Sequence, residues 1–471
     1  MDRLYSALVI IDYLAIVYFG LINSTYLFLN TVAFFSIRKY WAHTDITDFE
    51  VNFQSEFYKP VSIIIPAYNE EETIVDNIKS ILSLDYPEFE IVVVSDGSKD
   101  KTVMRLKEYF NLIPSTRDYD NQLKTEAIKD IYDSIDYPNL VVIDKKNGGK
   151  ADALNAGINI AQFPLICNID ADSLIDNRAL LKIVEPFSRD WRVIAAGGSI
   201  RVANDCEIEG GQIKSVKLSG INLVRMQIVE YIRAFLFGRV GWSALKSLLI
   251  ISGAFGVFRR KHVIAAGGYN VKTVGEDMEL VLRMNRKIKN KNRKYRVIFV
   301  PDPVCWTQVP EDIKILSNQR RRWQRGLGQS LLLNKELFFN KNYGLLGMLA
   351  YPFFFFVEFL GPVVEVIGYF SILLTIILNF EISEVVLLFF ITAILMGILL
   401  SSFSLLFEEL TFRKYTGIKD MLLLFLYSIL ENFGYKQLHS IWRLRGIIDL
   451  FFKRQGWGEQ KRKSFNQNSK V

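Results

Sequence analysis

"CNIDADSL", Cys167–Leu174, carries an apolar run that starts at Pro164 into two acids one residue apart, Asp170 and Asp172. The run reads as a buried strand. Two carboxylates about 4 Å apart repel by roughly 4 kcal/mol at an effective dielectric near 20, so positive charge must face them. In a parallel α/β sheet, ligands bind beyond the carboxyl ends of the strands. A divalent cation would relieve the repulsion there, and Mg2+ or Mn2+ takes carboxylates together with substrate phosphate oxygens. The competing reading is local: Asp172 or Ser173 capping a helix that follows. D-x-D alone leaves the two readings even.

Outward from this strand, similar β-branched runs at Val61–Ile65, Ile91–Val94 and Leu140–Ile143 alternate with helical stretches. That alternation predicts an α/β fold with a parallel sheet covered on both faces. It extends from Pro60 to about Gln329, with Asn111–Asn139 as a polar insertion. Tyr13–Ile37 has no charged residue and is long enough to cross a bilayer of roughly 30 Å. It lacks the small-residue cleavage site of a signal peptide and reads as a retained span. Arg38 and Lys39 follow it, and the positive-inside rule puts the next segment in the cytoplasm. Past Asn342 the chain turns apolar again. Tyr343–Leu378 reads as two helical segments broken at Gly361-Pro362, Val385–Phe407 as a clean span, and Met421–Leu450 as a span followed by an interfacial amphipathic helix. The division expected is 1–45 N-terminal span, 58–332 cytoplasmic catalytic domain, 333–452 membrane and interfacial helices, and 453–471 basic tail.

Composition agrees with a mixed chain. Of 471 residues, 50% are hydrophobic and 35 are Phe, high for a soluble protein, yet 23% are charged, too many for a purely intramembrane one. The net charge of +7 suits an anionic leaflet or an anionic substrate. The basic residues lie mainly in loops and tails, which argues against nucleic acid as a partner. Three scattered cysteines, Cys167, Cys206 and Cys305, imply neither a disulfide framework nor a zinc site.

Further motifs add to D-x-D. "VSIIIPAYNEEETI" (Val61–Ile74) is a strand, a tight turn and an acidic helix start. "VVVSDGSKD" (Val92–Asp100) ends a second strand at Asp96, where the alternative is plain Asp-Gly turn chemistry. "NGGKADALNAG" (Asn147–Gly157) sets two glycines and Lys150 before a helix, so the backbone can approach a diphosphate and the lysine can pair with it. "VGEDMEL" (Val274–Leu280) offers Glu276 and Asp277 ahead of a helix. "NQRRRWQRGL" (Asn318–Leu327) places three arginines beside Trp323.

In this order and spacing the chain resembles the membrane-integrated, processive family 2 glycosyltransferases, the group of cellulose, chitin, hyaluronan and poly-N-acetylglucosamine synthases. Q-x-x-R-W, here Gln319, Arg322 and Trp323, is the most discriminating element. The resemblance implies a GT-A glycosyltransferase domain with N- and C-terminal transmembrane helices, and an inverting transfer from a nucleotide diphosphate sugar. By it, Asp96 would hold the uracil of UDP, Lys150 the diphosphate, and Asp170 would face the nucleotide. Asp172 would bind Mg2+ or Mn2+, and Asp277, paired with Glu276, would be the general base. Arg322 fits neutralisation of departing UDP. Trp323 fits a platform for the acceptor, with Gln319 beside it. Helix core is the alternative for Trp323, and membrane-surface anchoring for the arginines. Two departures stand out: Ser95 where the family often has a second acid, and Gly275 where it often has Thr. "SGAFGVFRR" (Ser252–Arg260) and "AGGYN" (Ala266–Asn270) resemble the acceptor-pocket segment. "GWGEQKR" (Gly456–Arg462) partly resembles a gating element, with Trp457 closing over the site.

The expectation is therefore a multi-pass cell-membrane synthase with its catalytic domain in the cytoplasm. It would polymerise UDP-GlcNAc, or secondly UDP-glucose, into a β-linked polysaccharide and extrude it. Non-processive transfer to a membrane lipid is the alternative reaction, and a membrane scaffold the non-enzymatic reading. The partners implied are the UDP-sugar donor, a growing glycan or lipid acceptor and membrane lipids, with an accessory subunit left open. Glu358, Glu365 and Glu431 either line a glycan path or pair with arginines. The run Arg286–Arg296 reads as a solvated helix end, with lipid headgroups as the alternative. His43, His262 and His439 carry no assigned chemistry. Gln227, Glu230 and Tyr231 belong either to a family-like Q-x-x-E-Y element or to core.

Overall fold

The computed structural model describes residues 2–44, 58–209, 211–289, 295–379, 384–415 and 417–452. Trp457 and the basic tail lie outside the described residues. The chain opens with helix α1 (Asp2–Thr44). It continues through β1 (Val61–Ala67), α2 (Ile74–Leu82), β2 (Phe89–Asp96), α3 (Thr102–Tyr109), β3 (Leu112–Pro114), β4 (Ile128–Ser134), β5 (Leu140–Lys145), α4 (Lys150–Ile160), β6 (Leu165–Ile169), β7 (Ser173–Ile175), α5 (Ala179–Arg189) and β8 (Val193–Val202). The short strands β9 (Glu207–Glu209) and β10 (Gln212–Ser215) pair antiparallel. Helix α6 (Asn222–Glu230) runs through a π-helical stretch, Tyr231–Gly238, into α7 (Arg239–Ala244). Then come β11 (Phe255–Arg259), α8 (Arg260–Ala266), α9 (Glu276–Lys289), β12 (Arg296–Thr307) and α10 (Ile313–Leu333).

The main sheet has the order β3-β4-β5-β2-β1-β6-β11-β8-β12-β7. Its centre, β5-β2-β1-β6, is parallel, with Ile63 opposite both Ile91 and Cys167. These are the four apolar runs of the sequence, and they read as continuous because both faces are buried. Antiparallel strands flank them: β4 on β5, and β11 on both β6 and β8. The sheet is thus mixed. The supposed insertion Asn111–Asn139 is also corrected, since it contains β3 and β4 and extends the sheet edge. In β4, "IKDIYDS", polar residues interrupt the apolar ones, as suits a partly exposed strand one place in from the sheet edge.

Three helices among the described residues are long and apolar enough to span a membrane: Ser6–Ala42, Gly361–Leu378 and Glu384–Thr411. The last two lie in α11 (Gly361–Asn379) and in α12 (Glu384–Thr411). A shorter apolar helix, Leu346–Phe359, is separated by Leu360 alone from α11, where Pro362 sits in the first turn and needs no N–H partner. Polar contacts tie α1 to this bundle. Thr375 Oγ1 donates to Asp12 Oδ2 at 2.8 Å, and Asn30 Nδ2 to Ser404 Oγ at 2.9 Å. The span expected near Met421 is not formed. Helix α13 (Ile418–Leu430) has 13 residues, which rise only about 20 Å. Helix α14 (Tyr435–Phe451) carries Arg443, Arg445 and Asp449 and packs along α10.

Candidate active site

The first corner of the site forms where β2 stops. Asp96 is buried. Its Oδ1 accepts from Lys145 Nζ at 2.7 Å and from the Gly148 amide at 2.9 Å, and its Oδ2 from the Gly149 amide at 2.7 Å. Lys145 also reaches Asp152 Oδ1 at 2.5 Å. Asp96 therefore holds the Gly148-Gly149 loop in place. Gly97 makes the turn possible: its φ is +70°, and a Cβ there would meet the Asn147 amide at 2.8 Å. Lys145 and Asp152 went unnoticed in the sequence. The signal for Lys145 was a basic residue ending an apolar strand.

The acid cluster lies past β6. The Ser173 amide donates to the Asp170 carbonyl at 3.0 Å, and the chain then enters β7, not a helix. The helix-cap reading of Asp172 therefore falls. Lys150, the first residue of α4, sits 2.5 Å from Asp170 Oδ1 and 4.0 Å from Glu276 Oε1. Glu276 and Asp277 occupy the first turn of α9, where the helix dipole favours negative charge. The Gly253 amide donates to Asp277 Oδ2 at 3.1 Å. A Cβ on Gly253 would lie 3.3 Å from Lys150 Nζ and 3.5 Å from Asp277 Oδ2, so this glycine sits between the two.

Electrostatics mark the cluster as short of positive charge. Burial, reinforced by Asp170 and opposed by Lys150, pushes the Asp172 carboxyl up to about 6. Burial raises Glu276 to about 7, against the pull of Lys150 and with the repulsion of Asp277. Burial would depress the Lys150 ammonium, but Asp170 and Glu276 more than offset this and hold it above its ordinary value. Among the described residues no group of three or more His, Cys, Asp or Glu could hold a metal ion. The Asp170–Asp172 pair fits instead an ion that takes one or two carboxylates and completes its shell with water and phosphate oxygens.

Helix α10 brings the remaining residues. Its three successive arginines fan out at about 100° per residue and meet three different surroundings. Arg320 Nη2 lies 2.9 Å from Glu230 Oε2. Arg321 Nη2 lies 2.7 Å from Asp449 Oδ2. Arg322 faces the acid cluster: burial lowers its pKa, and Glu276, Asp170, Asp277 and Asp172 oppose that in decreasing order. Gln319 Oε1 accepts from Arg320 Nη1 at 2.8 Å and buttresses that arginine. Trp323 is 37% exposed, with the Arg320 guanidinium 4.2 Å from its ring centre and Phe235 5.7 Å away. It is thus no core residue.

Gly275, where the resembling family often has Thr, is explained by close packing. A Cβ there would lie 2.8 Å from the Gly326 carbonyl oxygen of α10. The turn carrying Glu276 and Asp277 and the helix carrying Arg322 thus touch backbone to backbone.

The glutamates in apolar surroundings have polar partners. Glu358 pairs with Arg443 at 3.0 Å and Glu431 with Arg233 at 2.5 Å, while Glu365 accepts from Ser440. Glu230 accepts from Tyr435 Oη at 2.8 Å, and Gln227 Nε2 donates to the Pro310 carbonyl at 2.8 Å. Both are buried and structural.

Carboxylates and cations gather past the sheet's carboxyl edge, an arrangement suited to group transfer with an anionic leaving group. The model of Glycosyl transferase family group 2 matches residues 165–405, and that of Glycosyl transferase family 2 matches 62–263. The chain belongs to the family 2 glycosyltransferases. It is 26% identical over 318 residues to a poly-beta-1,6-N-acetyl-D-glucosamine synthase of Staphylococcus epidermidis, covering 68% of this chain and 66% of that one. It is 29% identical over 276 residues to the synthase of that name from Staphylococcus aureus, covering 58% and 55%. The chain therefore matches less than two thirds of the length of each. A mannosyltransferase from Pyrobaculum calidifontis, solved with GDP-Man and Mn2+, shares the fold at 16% identity and a TM-score of 0.51, over 92% of this chain and 99% of that one.

Proposed function

We propose that the chain is a processive, inverting β-glycosyltransferase that extends a polysaccharide from a UDP-sugar and passes it through its own membrane helices. UDP-GlcNAc is the first donor and UDP-glucose the second. The observation that carries the reading is the convergence of Lys150, Asp170, Asp172, Glu276, Asp277 and Arg322 at one sheet edge. The likeness to poly-beta-1,6-N-acetyl-D-glucosamine synthases supports the donor and the polymer.

In this reading Asp277, held through Oδ2 by the Gly253 amide, takes the proton of the acceptor hydroxyl. That oxygen attacks C1 of the donor sugar from the face opposite the diphosphate. The C1–O bond breaks, its electron pair leaves with UDP, and the new linkage is β. Lys150 and Arg322 neutralise the leaving diphosphate. Asp172, with Asp170, would hold Mg2+ or Mn2+, which supplies further positive charge to the phosphates. Glu276 keeps Lys150 in place. Asp96 acts through the Gly148-Gly149 loop that it holds. Trp323 receives the acceptor sugar, with Gln319 steadying Arg320. Residues 58–332 form the catalytic domain, on the cytoplasmic side. Two crossings after it, α11 and α12, would return the chain to that side.

Product size tests processivity. The purified chain in nanodiscs, given donor and Mn2+, should produce a ladder or smear on a carbohydrate gel. A single glycolipid band would replace this reading with transfer to a membrane lipid.

A further inference from the structure

Among the described residues, Arg239 is a buried cation with no carboxylate in ion-pair contact. It is 7% exposed, and its Nη1 has no hydrogen-bond partner among the described residues. Leaving a buried guanidinium N–H unpaired is costly. Its contact with the Phe235 ring, 4.6 Å from guanidinium carbon to ring centre, offsets only part of this.

Its place in the fold indicates what could fill the gap. Arg239 opens α7, directly after the π-helical stretch Tyr231–Gly238, and π-bulges occur frequently at functional sites. Two residues on, Gly241 packs against α1 so closely that a Cβ would meet the Leu29 carbonyl oxygen at 2.7 Å. Residues two apart on a helix point in nearly opposite directions, so Arg239 faces away from α1. Phe235, one turn earlier, shares its face and reaches Trp323 at 5.7 Å, while Tyr231 lies 4.5 Å from Phe235. Burial lowers the Arg239 pKa to about 10, and the charge of Asp277 opposes that fall. Arg239 thus stacks on the aromatic cluster that reaches Trp323 and also feels the charge of the candidate base.

We propose that Arg239 binds the terminal sugar of the acceptor glycan, its free guanidinium N–H donating to a hydroxyl or acyl-carbonyl oxygen beside Trp323. This rests on the glycosyltransferase reading above and adds to it a residue that selects the acceptor. The donor contacts do not involve it.

The test is calorimetric titration of the full chain in nanodiscs, with Mn2+ and UDP present, using a β-1,6-linked N-acetylglucosamine tetrasaccharide as probe. R239Q should bind the probe roughly ten- to a hundredfold more weakly, the effect of losing one charge-assisted hydrogen bond, while its affinity for UDP stays that of the wild type. Should R239Q not fold, R239K decides, because lysine keeps the charge but loses the planar fork. It should melt like the wild type and bind the probe at least severalfold more weakly. Equal probe affinity in the folded variant overturns the inference, as does a wild type that binds UDP but not the probe. Failure of the wild type to bind UDP at all counts separately, against the donor site itself.

Discussion

Helix α10 separates two charged regions that behave in opposite ways. On one side, Arg320 and Arg321 are matched by Glu230 and Asp449. There burial would raise the Glu230 carboxyl, but Arg320, together with His439, Tyr435 and Arg233, more than offsets this and lowers it to about 2. On the other side, Asp172 and Glu276 are raised to about 6 and 7. One buried region has satisfied its charges and the other has not. The first is what a scaffold needs, and the second is what remains when part of the charge balance belongs to a substrate. Perturbed carboxyls of the second kind mark functional sites. One helix joins the two, so the ion pairs that anchor α6 and α14 to α10 also fix where Arg322 and Trp323 stand.

The largest effect expected is on the unsatisfied side. Asp277→Asn should lower the transfer rate by about 10²–10⁴-fold, the range of general-base catalysis, with UDP-sugar affinity nearly kept. Single-turnover UDP release and a binding titration separate the two. Wild-type turnover in this variant would remove Asp277 from the chemistry. Arg322→Lys should cost about 10²–10³-fold in kcat, as for loss of one oriented donor to developing charge. A variant at full rate would break the contrast between Arg322 and its two neighbours.

On the satisfied side the effect should be on stability. Glu230→Ala leaves Arg320 buried without its acid, which costs about 3–5 kcal/mol, read by thermal melting in detergent. A melting temperature equal to that of the wild type would mean the pair is not what holds α10.

The smallest effect sharpens the comparison by pH. Asp172 has a higher pKa folded than unfolded, so the folded protein binds the proton more tightly. Stability therefore falls as pH rises from about 4, the unfolded value, through about 6, the folded one. In the metal-free protein, Asp172→Asn should melt a few degrees above the wild type at pH 8 and match it at pH 4. The same substitution should abolish the response of turnover to Mn2+. Equal melting at both pH values would contradict the charge deficit at Asp172.

What could be read from the sequence follows the range of the interactions. The four central strands announced themselves because burial on both faces leaves unbroken β-branched runs. The three helices long and apolar enough to span did so because a bilayer demands length and apolarity together. Acids at strand ends and Lys150 behind two glycines pointed to the cluster, which forms where the sheet's edge gathers them. Strands β3 and β4 were missed because, at the margin of the sheet, they stay partly exposed and keep polar residues. The short α13 was mistaken for part of a span because its apolar sequence continues into α14, and the break at Gly434, with φ +98°, is local geometry. The pairs Glu230–Arg320, Arg321–Asp449 and Arg443–Glu358 join residues 90, 128 and 85 positions apart, so only the folded chain reveals them. The same holds for Gly275 against Gly326 and for the Arg239 Nη1, which has no hydrogen-bond partner among the described residues.

The most direct test of the central claim is UDP release by the purified chain in nanodiscs, with UDP-GlcNAc, UDP-glucose and UDP-glucuronate supplied separately, in Mn2+ or Mg2+ and in EDTA. Turnover with UDP-GlcNAc is expected in the wild type and lost in EDTA, and Asp172→Asn should show no turnover that responds to Mn2+. Turnover that persists in EDTA would contradict the assignment of Asp170 and Asp172 as the metal-holding pair.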